Sequence, residues 1–243
     1  MSSISDRLSD VRARIARAAR RSGRDPASIV LVAVSKTVPV DAVRDAARAG
    51  QIDFGENKVQ EALGKMEASR DLTARWHLVG HLQSNKAKKA AQFDVIHSID
   101  SAALLARVDE AAAALGRAPR VLVQVDLASE ATKFGAAEAD LPEIFEAARS
   151  ARAVAAAGLM LIPPAVDDPE QARPFFRRLR ELRDRLVAAG VDRSMLGELS
   201  MGMSHDFEVA IEEGATLVRV GTAIFGERSY VRPGTVDEEP SGR

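Results

Sequence analysis

The stretch IVLVAVSKT, residues 29–37, decides how the chain is read. It is a short apolar run rich in β-branched residues, with Arg24-Asp25-Pro26 before it and Pro39 after it. Such a run reads as a buried strand rather than a helix. Strand side chains alternate between faces, so Lys36 shares a face with Val30, Val32 and Val34. An ammonium at the end of an apolar face sits where burial lowers its pKa and frees the amine for carbonyl chemistry. Taken alone, such a position more often holds a strand-end lysine whose head reaches water.

Outward from this strand the pattern repeats. Further strands are expected at residues 52–54, 76–80, 95–99, 120–126, 154–162, 199–201 and 217–220. Helical stretches fall between them, near 39–49, 58–69, 85–89, 101–115, 137–150, 169–189 and 205–213, with Gly50 and Gly190 as stop signals. Strand and helix alternating eight times predict an α/β fold, a single (β/α)8 barrel of the TIM type. An open doubly wound sheet is the alternative, and eight units in a row favour closure. Ahead of the barrel, Ile4, Leu8, Val11 and Ile15 recur at helical spacing among arginines. That resembles an organelle transit peptide, but Asp6 and Asp10 argue for an extra surface helix of the domain. The domain is expected to span residues 1–230, and the polar segment 231–243, VRPGTVDEEPSGR, to be a disordered tail.

Composition narrows the function classes. Of 243 residues, 46% are hydrophobic and 28% charged, a globular balance. The formal charge of −1 provides no field to recruit nucleic acid, and no apolar run approaches a membrane span. Without cysteine there are no disulfides, thiolate metal sites or cysteine nucleophiles, which suits a reducing, cytoplasmic setting. His77 and His81 lie four apart on a strand and its end, and no metal site is expected. Asp53-Phe54-Gly55 mimics a kinase triplet without the accompanying loops. Lys86, Lys88 and Lys89 read as a solvated helix face.

In barrels of this kind the site lies at the C-terminal ends of the strands, and phosphate often sits in the loops after strands seven and eight. Here those loops are Ser200-Met201-Gly202-Met203-Ser204 and Gly221-Thr222, each opening into a helix. Backbone N–H groups with hydroxyls beside them make an anion cradle, although Ser204 and Thr222 also suit ordinary helix capping. In LVRVG, residues 217–221, Leu217, Arg219 and Gly221 face away from Val218 and Val220. If the valines meet the helices, Arg219 points into the barrel, paired either with a ligand or with a carboxylate. Strands one and eight are neighbours in a closed barrel, so Lys36, Arg219 and the cradle converge. That set suggests a phosphorylated carbonyl ligand held as a Schiff base.

The motifs in order are AVSKT at 33–37, FGEN at 54–57, Trp76-His77 leading to LQSNK at 82–86, and HSID at 97–100. GLM at 158–160, LSMGMS at 199–204, VRVGT at 218–222 and IFG at 224–226 follow. With these the chain resembles the pyridoxal phosphate homeostasis proteins, the YggS/PROSC-like family, whose barrel is similar to the N-terminal barrel of alanine racemase. The stretch from Gln124 to Gly135 keeps Lys133 and Gly135 around a less familiar core. The resemblance implies pyridoxal 5'-phosphate as cofactor and assigns Lys36 to its Schiff base. It also implies Ser200, Gly221 and Thr222 at the phosphate, Met201 contributing backbone, and Arg219 opposite the pyridine nitrogen. Asn57 and His81 would lie near the ring. Racemases of that class carry a second β-rich domain, for which no room is expected after strand eight, and the only tyrosine is Tyr230. The implied function is a monomeric buffer or carrier of the cofactor with little turnover, serving pyridoxal-phosphate-dependent apoenzymes. Three rivals stand beside it: an amino-acid racemase of low activity, a Schiff-base lyase acting on a sugar phosphate, and an interaction module in which Lys36 binds nothing.

Overall fold

The computed structural model describes residues 2–127 and 134–226. The proposed tail, Tyr230 and Lys133 lie outside these residues. The first helix, α1 (Ile4–Arg21), starts at a capping box in which Ser3 and Asp6 satisfy each other's backbone N–H. Then come β1 (Val30–Val34), α2 (Val40–Arg48), β2 (Asp53–Glu56), α3 (Val59–Ala68), β3 (Arg75–Leu78), α4 (Ala87–Ala90), β4 (Val95–Ile99) and α5 (Ala102–Leu115). The second half follows with β5 (Arg120–Gln124), α6 (Leu141–Arg149), β6 (Ala155–Met160), α7 (Arg173–Ala188), β7 (Glu198–Met203), α8 (Phe207–Glu212), β8 (Leu217–Val220) and α9 (Thr222–Phe225).

Eight parallel strands close in sequence order, β8 pairing back onto β1 with Val32 opposite Arg219. The fold is therefore the closed barrel, not the open sheet. Val32, Val79, Val95, Leu122, Met160 and Leu217 fill its interior, with Val30 and Val34 against them. Val218 and Val220 belong to the larger core between the sheet and the helices. Burying each such side chain contributes about 1.5–3 kcal/mol. The alternation read from LVRVG thus holds, and Arg219 points inward. The arginine-rich α1 packs its buried face, Leu8, Val11 and Ile15, on the domain, and Arg14 and Arg21 pair with Glu208 and Glu212.

Several boundaries move, three of them for a clear local reason. Strand β2 begins after the exposed Ile52 and runs through Gly55, whose missing side chain leaves space for Val32 and Val34. The expected polar helix at 85–89 is a 3-10 turn over Ser84–Lys86 followed by the four-residue α4. Strand β7 extends to Met203, and its register with β8 shifts between Ser200 and Met203. Gly202 sits within that irregularity at φ +91°, where an added Cβ would lie 2.6 Å from the Ala210 Cβ. At the C-terminal end of the barrel, Gly80 lies against the Asn57 backbone, and an added Cβ would stand 2.3 Å from the Asn57 oxygen. Gly80→Ala should cost about 1–3 kcal/mol by forced backbone shift, measured by urea unfolding. Wild-type stability would show that Asn57 has room to move.

Candidate functional site

Lys36 lies in the turn just beyond β1, half-buried, two residues past Val34. Thr37 follows it at φ +62°, a left-handed conformation that costs a β-branched residue about 1–3 kcal/mol. The residues on either side of Lys36 are pinned from behind. Ser35 donates its hydroxyl to Glu56 Oε1 (2.6 Å), and the Lys65 ammonium reaches the Ser35 carbonyl (2.5 Å), Glu56 Oε1 (2.7 Å) and Glu61 Oε1 (2.8 Å). Glu61 also accepts from the strained Thr37 N–H (2.6 Å). Burial pushes the Glu56 carboxyl up despite Lys65 and Ser35, and among the described residues its buried Oε2 has no hydrogen-bond partner. Burial would raise Glu61 too, but the Lys65 and Thr37 bonds outweigh it and hold it below the usual carboxylate range.

Arg219 is 4% exposed, and its guanidinium donates to Ser200 Oγ (2.7 Å) and the Leu161 carbonyl (2.8 Å). Among the described residues it has no carboxylate in ion-pair contact, so the expected alternative of a structural pair is not what the fold builds. Burial pushes its pKa down to about 10, with Asp206 acting against that. Keeping this cation charged at neutral pH costs on the order of 3 kcal/mol. Such a cost is usual where a buried charge serves a site.

The two loops predicted to form the cradle do meet. Ser204 Oγ accepts from the Gly221 N–H (3.1 Å) and the Ala223 N–H (3.4 Å). A Cβ at Gly221 would stand 3.2 Å from the Val34 carbonyl, which places this loop against the end of β1. Thr222 is exposed at the first position of α9. Ser200 sits differently from Ser204: it is fully buried inside the barrel, its hydroxyl between Arg219 and His97 Nδ1 (2.8 Å). Met201 faces the helices in the outer core. The register shift at Gly202 separates the two serines, and strand alternation by itself gave no sign of it.

Asn57 and His81 line one cavity of about 410 Å³ with Gln60 and Lys86, and no cradle residue lines it. The His81 ring stacks on Phe134 at 3.6 Å between centroids, and its Nδ1 is 3.8 Å from Asp100. The sequence did not single out Phe134 or Lys65, and it gave Glu56 only as part of the FGEN motif.

Under Arg219 lies a polar core whose residues the sequence shows without connecting them. His97 Nε2 is 2.9 Å from His77 Nδ1, and His77 Nε2 is 2.9 Å from Asp53 Oδ1. Burial, with the neighbouring His77 and Arg219, holds His97 well below the ordinary histidine value of 6.5. As the pH falls below 6.5 the unfolded chain takes a proton that the folded chain refuses. This contribution to stability is therefore complete above that value and lost on acidification, by up to about 1.4 kcal/mol per pH unit. Unfolding in urea at about pH 7.5 and about pH 5.5 should show this slope, and His97→Gln should flatten it.

A closed barrel with a lysine beyond strand one and a buried arginine on strand eight is one of the alanine racemase type. The family model for the alanine racemase N-terminal domain matches residues 7–229. Alanine racemase of Clostridium difficile superposes with a TM-score of 0.66 at 16% identity, over 92% of this chain and 57% of that one, a likeness of fold. The chain belongs to the pyridoxal phosphate homeostasis protein family. It is 46% identical to the Aquifex aeolicus member over 93% of this chain and 98% of that one. With the Pseudomonas aeruginosa member the identity is 45%, over 96% and 99%. PipY of Synechococcus elongatus, solved with PLP bound, superposes with a TM-score of 0.82 at 41% identity, covering 92% of this chain and all of that one.

Proposed function

We propose that this chain binds pyridoxal 5'-phosphate at the C-terminal mouth of the barrel, carries it on Lys36 as a Schiff base, and buffers or delivers it with little turnover. The observation that carries the reading is the buried Arg219 on β8, without a carboxylate partner among the described residues and level with Val32 on the same strand pair whose end bears Lys36. The donor set fits the group. Pyridoxal phosphate supplies an aldehyde, and a lysine amine joins it with release of water. We assign the phosphate to the loop from Met201 to Ser204, together with Gly221 and Thr222, and not to the Ser200 hydroxyl, which Arg219 and His97 hold inside the barrel. We place Asn57 and His81, which line one cavity together, beside the ring. Arg219, held cationic, disfavours a proton on the ring nitrogen and so weakens electron withdrawal, which supports storage over catalysis. Pyridoxal-phosphate-dependent apoenzymes are the proposed recipients. We read the carrier as a cytoplasmic monomer, a setting that suits its cysteine-free sequence.

The test is absorbance with added pyridoxal phosphate, then borohydride reduction and peptide mapping. A visible band that disappears on reduction, with the adduct on Lys36, is the expected result. Labelling spread over surface lysines would sink the proposal. The racemase family match favours one second reading, a weak amino-acid racemase. Interconversion of alanine enantiomers by loaded protein, lost in Lys36→Ala, would establish it.

A further inference from the structure

We propose that Asp53, His77, His97 and Ser200 form a one-way hydrogen-bond relay through the barrel that fixes Arg219 beneath the cofactor, making Asp53 and the two histidines positioning residues for the opposite mouth. The proposal rests on the cofactor reading above.

Its links are all short: Arg219 to Ser200 Oγ at 2.7 Å, Ser200 to His97 Nδ1 at 2.8 Å, His97 Nε2 to His77 Nδ1 at 2.9 Å, and His77 Nε2 to Asp53 at 2.9 Å. The chain starts at the first residue of β2, passes through β3 and β4, crosses the interior to β7 and ends on β8. His77 is 2% exposed and His97 and Ser200 not at all, so water cannot replace a lost link.

The chemistry of the two ends sets the direction. A guanidinium only donates, so Ser200 Oγ accepts from Arg219 and its own proton must go elsewhere. Among the described residues the acceptor within reach is His97 Nδ1. Burial keeps His97 neutral, so its remaining proton is on Nε2 and is donated to His77 Nδ1. His77 then carries its proton on Nε2 and donates to Asp53. Read from the other end, the Asp53 carboxylate can only accept, and the same order results. Burial alone would raise Asp53, but His77 and Arg75 outweigh it and keep it ionised. Reversing the chain would put a proton on His97 Nδ1 facing a serine that already accepts from Arg219. The Ser200 proton would then be stranded in a dry interior. Bonds aligned in one sense polarise each other, so the anion at Asp53 strengthens the grip on Arg219.

The Asp53 end opens on a cavity of about 370 Å³ at the N-terminal mouth, beside Arg75, Arg120 and Glu198, the first residues of β3, β5 and β7. One end of the relay thus meets solvent on the face away from Lys36.

The experiment uses the full chain labelled with ¹⁵N-histidine, first without cofactor. Both rings should carry a proton on Nε2 and leave Nδ1 free to accept. Asp53→Asn keeps an oxygen to accept from His77, removes the charge, and replaces the oxygen that accepts from Arg75 with an amide NH2. It should retain a cooperative melt, shift the ring signals of both His77 and His97, and move the visible band of pyridoxal-phosphate-loaded protein. Should Asp53→Asn unfold the chain, His97→Gln takes its place, with the His77 signal and the visible band as readouts. A proton on Nδ1 of either histidine overturns the relay. So does a variant that disturbs only the adjacent histidine and leaves the band unchanged. If the tautomers are as stated but wild type shows no band with pyridoxal phosphate, the cofactor reading has failed and the relay itself stands.

Discussion

Lys36→Ala protein mixed with pyridoxal phosphate should show no Schiff-base band and take up no label on borohydride reduction. The substitution removes the amine at the end of β1 and leaves Arg219, Gly221, Ser204 and Thr222 untouched. Residual binding should therefore persist through the phosphate loops, with affinity reduced at least tenfold, about 1.4 kcal/mol or more. Stability should change little, because Lys36 is half-buried in a turn beyond the strand. Equilibrium dialysis separates the two contributions. Undiminished affinity and a persistent band would mean that another lysine carries the cofactor. A collapse of folding would instead make Lys36 a structural residue.

Lys65→Met should have the largest effect on stability. Lys65 is the partner of a carboxylate that is otherwise sealed in: Glu56 is fully buried, and among the described residues one oxygen already lacks a partner and Ser35 alone would remain for the other. Removing one member of such a buried pair costs about 3–5 kcal/mol. In a chain of this size that is a loss on the order of 10 °C in Tm. The sign of its pH dependence follows from Glu56. Burial already raises its folded pKa above the ordinary 4.5, and loss of Lys65 raises it further. The penalty is therefore largest at neutral pH, where the carboxyl must ionise, and shrinks on acidification as it takes a proton. Melting curves at about pH 7 and about pH 5 should show the gap to wild type narrowing. Adding Glu56→Gln should recover part of it. A gap that widens at low pH would assign the loss to Glu61 and the Thr37 turn instead.

Much of the candidate site could be read in the sequence because it depends on the two-residue period of a strand. The period put Lys36 on the face of Val30, Val32 and Val34, and turned Arg219 inward with Leu217. Glycine and proline punctuation gave the order of strands and helices, and that order gave closure. The hidden parts are those fixed by partners distant in the chain. Alternation says that Asp53 and His77 share an interior, but not that His77 meets His97 or that His97 meets Ser200, 103 residues away. Lys65 looks like one more polar helix residue until α3 packs behind the Lys36 turn. Ser200 and Ser204 look alike in SMGMS, yet the irregularity at Gly202 sends one hydroxyl into the core and the other to Gly221.

The sequence by itself determined the barrel, the lysine at the end of its first strand and the inward arginine on its last, since each follows from local periodicity and the neighbourhood of β1 and β8. Only the tertiary structure decided what holds them: the buried Glu56–Lys65 pair behind Lys36 and the polar chain beneath Arg219. Both are hydrogen-bond networks between distant strands and helices, whose geometry exists only once the barrel has closed and excluded water.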